Sequence, residues 1–228
     1  MPERRTYVVE HLDPELGAWS ELEYAAIARE TTSRGGTFIL SSLAPTLRVP
    51  PSLERVPGFR AERRSAEELF SAGGGGKAEG EGGAAGGAGE ERVISRERVC
   101  LLDPQAQKDL DPDDKRLFDV FLFGGILGDD PPRDRTSELR MKGFEGRRLG
   151  PVQMTTDTAV RVTRMVIEEQ FTLNKIPYID FPELRFNEHE STEMPFRYVC
   201  GDDGRPVMPE GMLDLIRRDA DKGIDDLF

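Results

Sequence analysis

Residues Val120 to Asp129 constrain the fold more than any other stretch of this chain. Val120, Phe121, Leu122 and Phe123 are four apolar residues in a row. That is the composition of a strand covered on both faces, as in a parallel sheet. Gly124, Gly125 and Gly128 follow at once and let the backbone turn sharply and come close to another molecule. Asp129 closes the loop, and Pro131 and Pro132 keep a helix from starting directly after it. Two phosphate-binding readings are thereby excluded. A dinucleotide fingerprint opens a helix with G-x-G-x-x-G, and a P-loop ends in Gly-Lys-Ser/Thr. The loop is suited to hold a ligand by its backbone, without a helix N-terminus.

Further strands and helices alternate around this one. Thr6–Glu10, Thr37–Leu40 and Arg98–Leu102 read as short strands, and another ends at Leu149–Gly150. Ser20 with Glu23 has the form of a capping box. Trp19, Leu22, Ala26 and Ile27 follow helical spacing, which predicts a helix over 20–34 ended by Gly35 and Gly36. Shorter helices are expected over 61–70 and 112–119. Thr155 or Thr156 can cap another, with Ala159, Val162, Val166 and Phe171 on one face. The alternation predicts an α/β fold with a mostly parallel sheet and helices on both faces. Residues 73–89 are almost wholly Gly, Ala and Glu. They have too little apolar area to offset ordering entropy, and read as a flexible insert within the domain. The main domain is expected over 1–175. A C-terminal extension over 176–228 packs on it, with extended segments at 178–186 and 195–199 and a helix over 209–218.

The net charge is −12 over 228 residues. Nucleic-acid binders carry basic surfaces because phosphate contacts supply most of their affinity; a basic protein partner suits this chain better, and no direct nucleic-acid binding is expected. No apolar run is long enough to cross a bilayer, and no signal-peptide pattern follows Met1. The two cysteines, Cys100 and Cys200, therefore read as reduced thiols of a cytoplasmic protein. With two histidines and no Cys/His cluster, no metal site is expected.

Parallel sheets place ligands at the carboxyl ends of their strands. Three such ends carry unusual loops: Leu102–Gln105, Gly124–Asp129 and Leu149–Asp157. Their glycines expose backbone groups that suit the edge of an adenine ring, and Leu102, Leu149 and Met154 are placed to close on its faces. These loops resemble those of the SPOUT class, the trefoil-knotted methyltransferases that use S-adenosylmethionine. Within it, Val9–His11, Val99–Pro104, Phe123–Asp129, Pro131–Thr136, Arg147–Gly150, Gln153–Ala159, Glu193–Tyr198 and Pro209–Ile216 are similar to the protein arginine methyltransferases that modify a small-subunit ribosomal protein. The resemblance covers nearly all of the chain except the Gly/Ala tract. It implies a knot near residues 120–157. It implies S-adenosylmethionine as cofactor, bordered by Leu102, Asp103, Gly124, Gly125, Gly128, Leu149, Gly150, Met154 and Thr155. It also implies a basic ribosomal protein as substrate. The class alternative is a tRNA or rRNA methyltransferase, against which the net charge speaks. Many class members are dimers; here the extension is expected to cover that edge and leave a monomer.

Arginine is a difficult nucleophile, because its guanidinium has a pKa of about 12.5 to 13.8. Carboxylates must orient it and accept the proton released as the methyl arrives. The acids available are Glu10, Asp129, Asp130, Asp134, Glu183 and Glu193. Asp129 ends the glycine loop, Glu10 ends the first strand, and Glu193 lies in a shared tail segment; these three are the expected catalytic residues. Arg133 and Arg135 can pair with these acids or with the cofactor carboxylate. His11 is a further candidate for proton relay.

Overall fold

The computed structural model describes residues 4–71, 94–124, 136–188 and 190–225, the last six by backbone alone. Its elements, in chain order, are β1 (Thr6–Glu10), α1 (Ala18–Ser33), β2 (Thr37–Ser41), α2 (Pro51–Glu54), β3 (Phe59–Ala61), α3 (Ala66–Leu69), β4 (Val99–Leu102), β5 (Val120–Gly124), α4 (Ser137–Met141), β6 (Glu145–Arg147), α5 (Thr156–Ile167), β7 (Tyr178–Asp180), β8 (Glu183–Arg185), β9 (Ser191–Glu193), β10 (Arg197–Val199) and α6 (Met212–Asp225). Six strands form one sheet in the order β3-β2-β1-β5-β4-β6, and all five pairings are parallel. The fold is therefore α/β, as the alternation predicts.

Period-two geometry explains why the strands lack a polar face. Tyr7, Val9, Phe38, Leu40, Cys100, Leu102, Phe121 and Phe123 point to one side, where α1, α2 and α5 contribute Tyr24, Ile27, Leu53, Val160, Val162 and Val166. Val8, Ile39, Val99, Leu101, Val120 and Leu122 point to the other, against Ala66 and Phe70 at α3 and Leu139 and Phe144 around α4. Each side chain has a cover, so the runs are uniformly apolar. Cys100 is fully buried, and burial pushes its thiol up, which makes it a small hydrophobe.

Several boundaries differ from the sequence expectation. The first helix begins at Ala18 with Gly17 as its N-cap and no side-chain cap. The capping box expected of Ser20 and Glu23 does not form: both are buried one turn inside the helix. Such boxes close instead at Ser65–Glu68 and Asp111–Asp114. Only 66–69 is helical within 61–70, and 112–116 is a 3-10 turn. The strand expected before Gly150 is β6, and α6 begins at Met212 rather than 209. Phe171 lies beyond α5 and is exposed. The insert at 73–89, and the loop 125–135 on which the expected knot turns, fall largely or wholly outside the described residues.

Residues 176–225 add a layer of their own. β7 pairs with β10 and β8 with β9, both antiparallel. Leu184, Met194, Phe196, Tyr198, Met212, Leu215 and Ile216 form a small core against Trp19 and Leu22 of α1. One edge of this layer is laid on the main sheet's ligand side: Arg197 N–H donates to Gln153 O at 2.8 Å, and Met154 bridges to Arg197.

Candidate active site

The carboxyl ends of β4, β5 and β6 meet at one cavity of about 380 Å³, within the range of roughly 300–1,000 Å³ usual for small-molecule sites. β4 delivers Leu102, Asp103, Pro104 and Gln105; β5 delivers Phe123 and Gly124; the segment after β6 delivers Arg148 to Met154; Thr136, Thr156 and Ala159 complete the wall. Gly150 adopts φ +89° with open space around the position of a Cβ, so its backbone turns where an L side chain is strained. Leu102, Phe123, Leu149 and Met154 give apolar faces, and the glycines leave room for close approach. This is a lining into which a flat heterocycle fits.

Asp103 braces two walls. It is 2% exposed. Its Oδ1 accepts from Gln105 N–H at 2.9 Å, Thr136 Oγ1 at 3.1 Å and Arg140 Nη2 at 2.7 Å, and its Oδ2 accepts from Arg140 Nε. Burial works against ionisation. The Arg140 fork, the Gln105 N–H and the Thr136 hydroxyl outweigh it and hold the carboxyl below its usual range. A carboxylate so occupied ties the β4 loop to α4 rather than reaching across the cavity.

The chain matches the family described as SFM1-like, protein arginine N-methyltransferase SFM1-like, over residues 6–79 and 86–223. It belongs to that family. The break at 80–85 falls in the Gly/Ala tract. The protein arginine N-methyltransferase SFM1 of Saccharomyces cerevisiae is 42% identical over 231 residues, covering 97% of this chain and 99% of that one. The crystal structure of yeast SFM1 complexed with SAM has a TM-score of 0.77 at 40% identity, covering 95% of this chain and 91% of the other. Its complex with SAH has a TM-score of 0.76 at 41% identity, covering 92% and 94%.

In this SFM1-like chain, Leu102, Asp103, Gly124, Leu149, Gly150 and Met154, read from the sequence as cofactor-binding, all line the cavity. Thr155 does not: its hydroxyl donates to Asp157 Oδ1 at 2.7 Å and lies 2.8 Å from Thr158 Oγ1, both in the first turn of α5, and Thr156 takes the place on the wall. Gly125, Gly128 and Asp129 lie outside the described residues, as do Asp130, Asp134, Arg133 and Arg135. Glu10 is 3% exposed and is the register partner of Gly124. Ser42, at φ 59°, an uncommon backbone for a residue other than glycine, donates its hydroxyl to Glu10 Oε1 at 2.7 Å. Among the described residues Glu10 Oε2 is buried without a hydrogen-bond partner. Glu193 is not brought to the cavity: it is exposed on β9, opposite Glu183. His11 is packed edge-on against Tyr24 and hydrogen-bonded to its hydroxyl and to Glu15 O.

Sequence reasoning named the loops that hold Gln105 and Gln153 without singling those residues out, and left Phe123, Thr136, Arg148 and Ala159 out of the wall. Phe123 has the signal of ending an apolar strand just before a glycine. Ala159, one turn beyond Thr156 on α5, is small where a larger residue would fill the hollow. Arg148 carries no local signal; it reaches the rim because Leu110 N–H donates to its carbonyl and its own N–H donates to Lys108 O.

Proposed function

We propose that the cavity holds S-adenosylmethionine, and that this SFM1-like protein methylates an arginine of a basic ribosomal protein. It does so in the cytoplasm, as a monomer, without contacting nucleic acid or membrane. Family membership gives the reaction class, protein arginine N-methylation from S-adenosylmethionine. The observation that carries the placement is the convergence of three strand-end loops on one hollow. The net charge of −12 supports a cationic protein substrate over a polyanion. Among the described residues no helix is long and apolar enough to cross a membrane. The tail's bond from Arg197 N–H to Gln153 O lays it along the ligand edge, which supports the monomer reading.

The bound cofactor supplies an electrophilic methyl on a sulfonium. An arginine nitrogen forms the new N–C bond as the C–S bond breaks, and that nitrogen gives up a proton. Leu102, Leu149 and Met154 hold the adenine faces, while Gly124 and Gly150 admit the backbone close to its edge. The Asp103–Arg140 pair fixes the β4 loop against α4. Positioning of this kind is worth roughly 7–11 kcal/mol at best. Glu10 stands beside Gly124 at the strand end and is not itself part of the cavity wall; with Asp129 it is the acid assigned to orient the guanidinium and accept the proton, Ser42 holding one of its oxygens.

Transfer of tritiated methyl to small-subunit ribosomal proteins and to ribosomal RNA tests the substrate. Label is expected in protein arginine; label in RNA alone would establish an RNA methyltransferase instead. In the same assay Glu10→Gln lowers kcat by about 100-fold, the size of a lost general base. Glu193→Gln leaves kcat within about twofold, as for an exposed surface change.

A further inference from the structure

Behind the cavity wall, α1 and α5 share a buried polar seam that the reaction as described does not use. Glu23 of α1 is 1% exposed and Asp157 of α5 is 3% exposed, and the two carboxyls face one another directly. Trp19 Nε1 donates to Glu23 Oε1 at 3.1 Å, and the hydroxyl of Thr156, a residue of the cavity wall, also bonds to Glu23. Glu23 Oε2 is buried with no donor among the described residues to satisfy it. Asp157 accepts from Thr155 Oγ1 at 2.7 Å and from Arg161 Nη1 at 3.3 Å. Arg161 and Arg164 both donate to Glu30. Tyr198 of β10 packs beside both acids.

Charge decides how such a seam is occupied. Among the described residues the seam holds three acids, Glu23, Asp157 and Glu30, and two cations, Arg161 and Arg164. Glu30 and Asp157 are matched by the two arginines; a third ionised carboxylate would be a buried charge with no counter-ion, which costs several kcal/mol. A proton on Glu23 removes that charge and gives its bare oxygen a role, as donor to Asp157. We infer that Glu23 is held as a neutral carboxylic acid whose proton bridges to Asp157, and that this bridge sets the first turn of α5, and with it Thr156, against the cofactor. Desolvation of Glu23, then the neighbouring Asp157 carboxylate, act in the same direction. Glu23 is thus a positioning residue for methyl transfer. It touches neither substrate nor cofactor, and it acts through Thr156.

The effect on the cavity rests on the proposed cofactor site; the protonation does not. Infrared difference spectra of the full chain at neutral pH are expected to show a protonated-carboxyl carbonyl band that Glu23→Gln removes. Binding of S-adenosylmethionine is measured by calorimetry from neutral to alkaline pH. The wild type weakens by about tenfold, a difference of roughly 1.4 kcal/mol, as Glu23 ionises. Glu23→Gln is neutral at every pH and still able to donate to Asp157, so it binds like the neutral wild type throughout. Glu23→Ala, which has no bridge, binds about tenfold more weakly at neutral pH. An unchanged carboxyl band in Glu23→Gln, or a loss of affinity in that variant equal to that of Glu23→Ala, would overturn the inference. Failure of the cofactor site shows separately, as undiminished binding by Met154→Trp, which fills the cavity without touching the seam.

Discussion

Asp103 and Glu23 are both buried carboxyls beside the same cavity, and their surroundings drive them in opposite directions. Asp103 meets a two-pronged guanidinium, a backbone N–H and a hydroxyl, and its carboxyl is held below its usual range despite burial. Glu23 meets an indole N–H, a threonine hydroxyl and another carboxylate, and burial raises it well above its usual range. Depth alone does not separate them; the local charge count does. Among the described residues, Asp103 faces one cation, Arg140, whereas the α1–α5 seam holds three acids for two arginines. One site therefore stores a charge and the other a proton.

The comparison breaks most visibly at Arg161. Its side chain is 8% exposed and joins Glu30 to Asp157. Arg161→Met takes the cation from a seam already rich in acid and leaves Asp157 without its ion pair. Unfolding in urea should show a loss of about 3–5 kcal/mol, the cost of orphaning a buried charge. The matching change on the other side, Arg140→Met, should cost less. Arg140 is 37% exposed, so water can replace part of what it gives Asp103, and about 1–3 kcal/mol is expected. Its sharper effect falls on the cavity, because the brace between the β4 loop and α4 goes with it. Calorimetry should show S-adenosylmethionine affinity falling further for Arg140→Met than for the exposed Glu193→Gln. Equal affinities would mean that Asp103 does not position the wall.

The same contrast shows what the residues alone disclose. The sheet was legible because its strands are covered on both faces, and Val99–Leu102 and Val120–Phe123 announce that by being uniformly apolar. The cavity was legible as a set of loops, since Gly124, Gly150 and Met154 follow those strands directly. β3 was not: Phe59–Ala61 is three residues long at the sheet edge, carries Arg60 at its centre and lies between Pro57-Gly58 and Glu62-Arg63-Arg64. Glu23 was misread because Ser20 and Glu23 have capping-box spacing. The helix starts a turn earlier, at Ala18, which rotates both residues into the interior. Nothing in local spacing says that Asp157, more than a hundred residues away, waits there. Glu193 failed for the reverse reason: an acid in a family segment earns a place in a site only if a strand carries it there, and β9 points it to solvent.

The finest separation of the two carboxyls is in the pH dependence of stability. A carboxyl held low in the folded state contributes stability that is present above the ordinary aspartate range, about pH 3.9, and is lost as pH falls through the lower folded value. Asp103 is such a group, and Glu30, whose arginines overcome its burial, is another. Asp103→Asn should therefore flatten part of the acid-side loss, the remainder belonging to Glu30 and to other carboxyls held low, such as Glu62 and Asp180, even though the variant is less stable near neutrality. Glu23 has the opposite sign. Between the ordinary glutamate value, about 4.3, and its raised folded value, the native state keeps a proton that the unfolded chain has released, so stability declines as pH rises through that window. Asp157 is raised as well, by burial first, and the pair shares one proton, so Glu23→Gln should remove most of the decline in that window rather than shift it. Melting curves taken across pH on the two variants give the test. Asp103→Asn should alter only the acid limb and Glu23→Gln only the limb above it. If both variants changed the same limb, the two carboxyls would share one environment and the charge count that distinguishes them would be wrong.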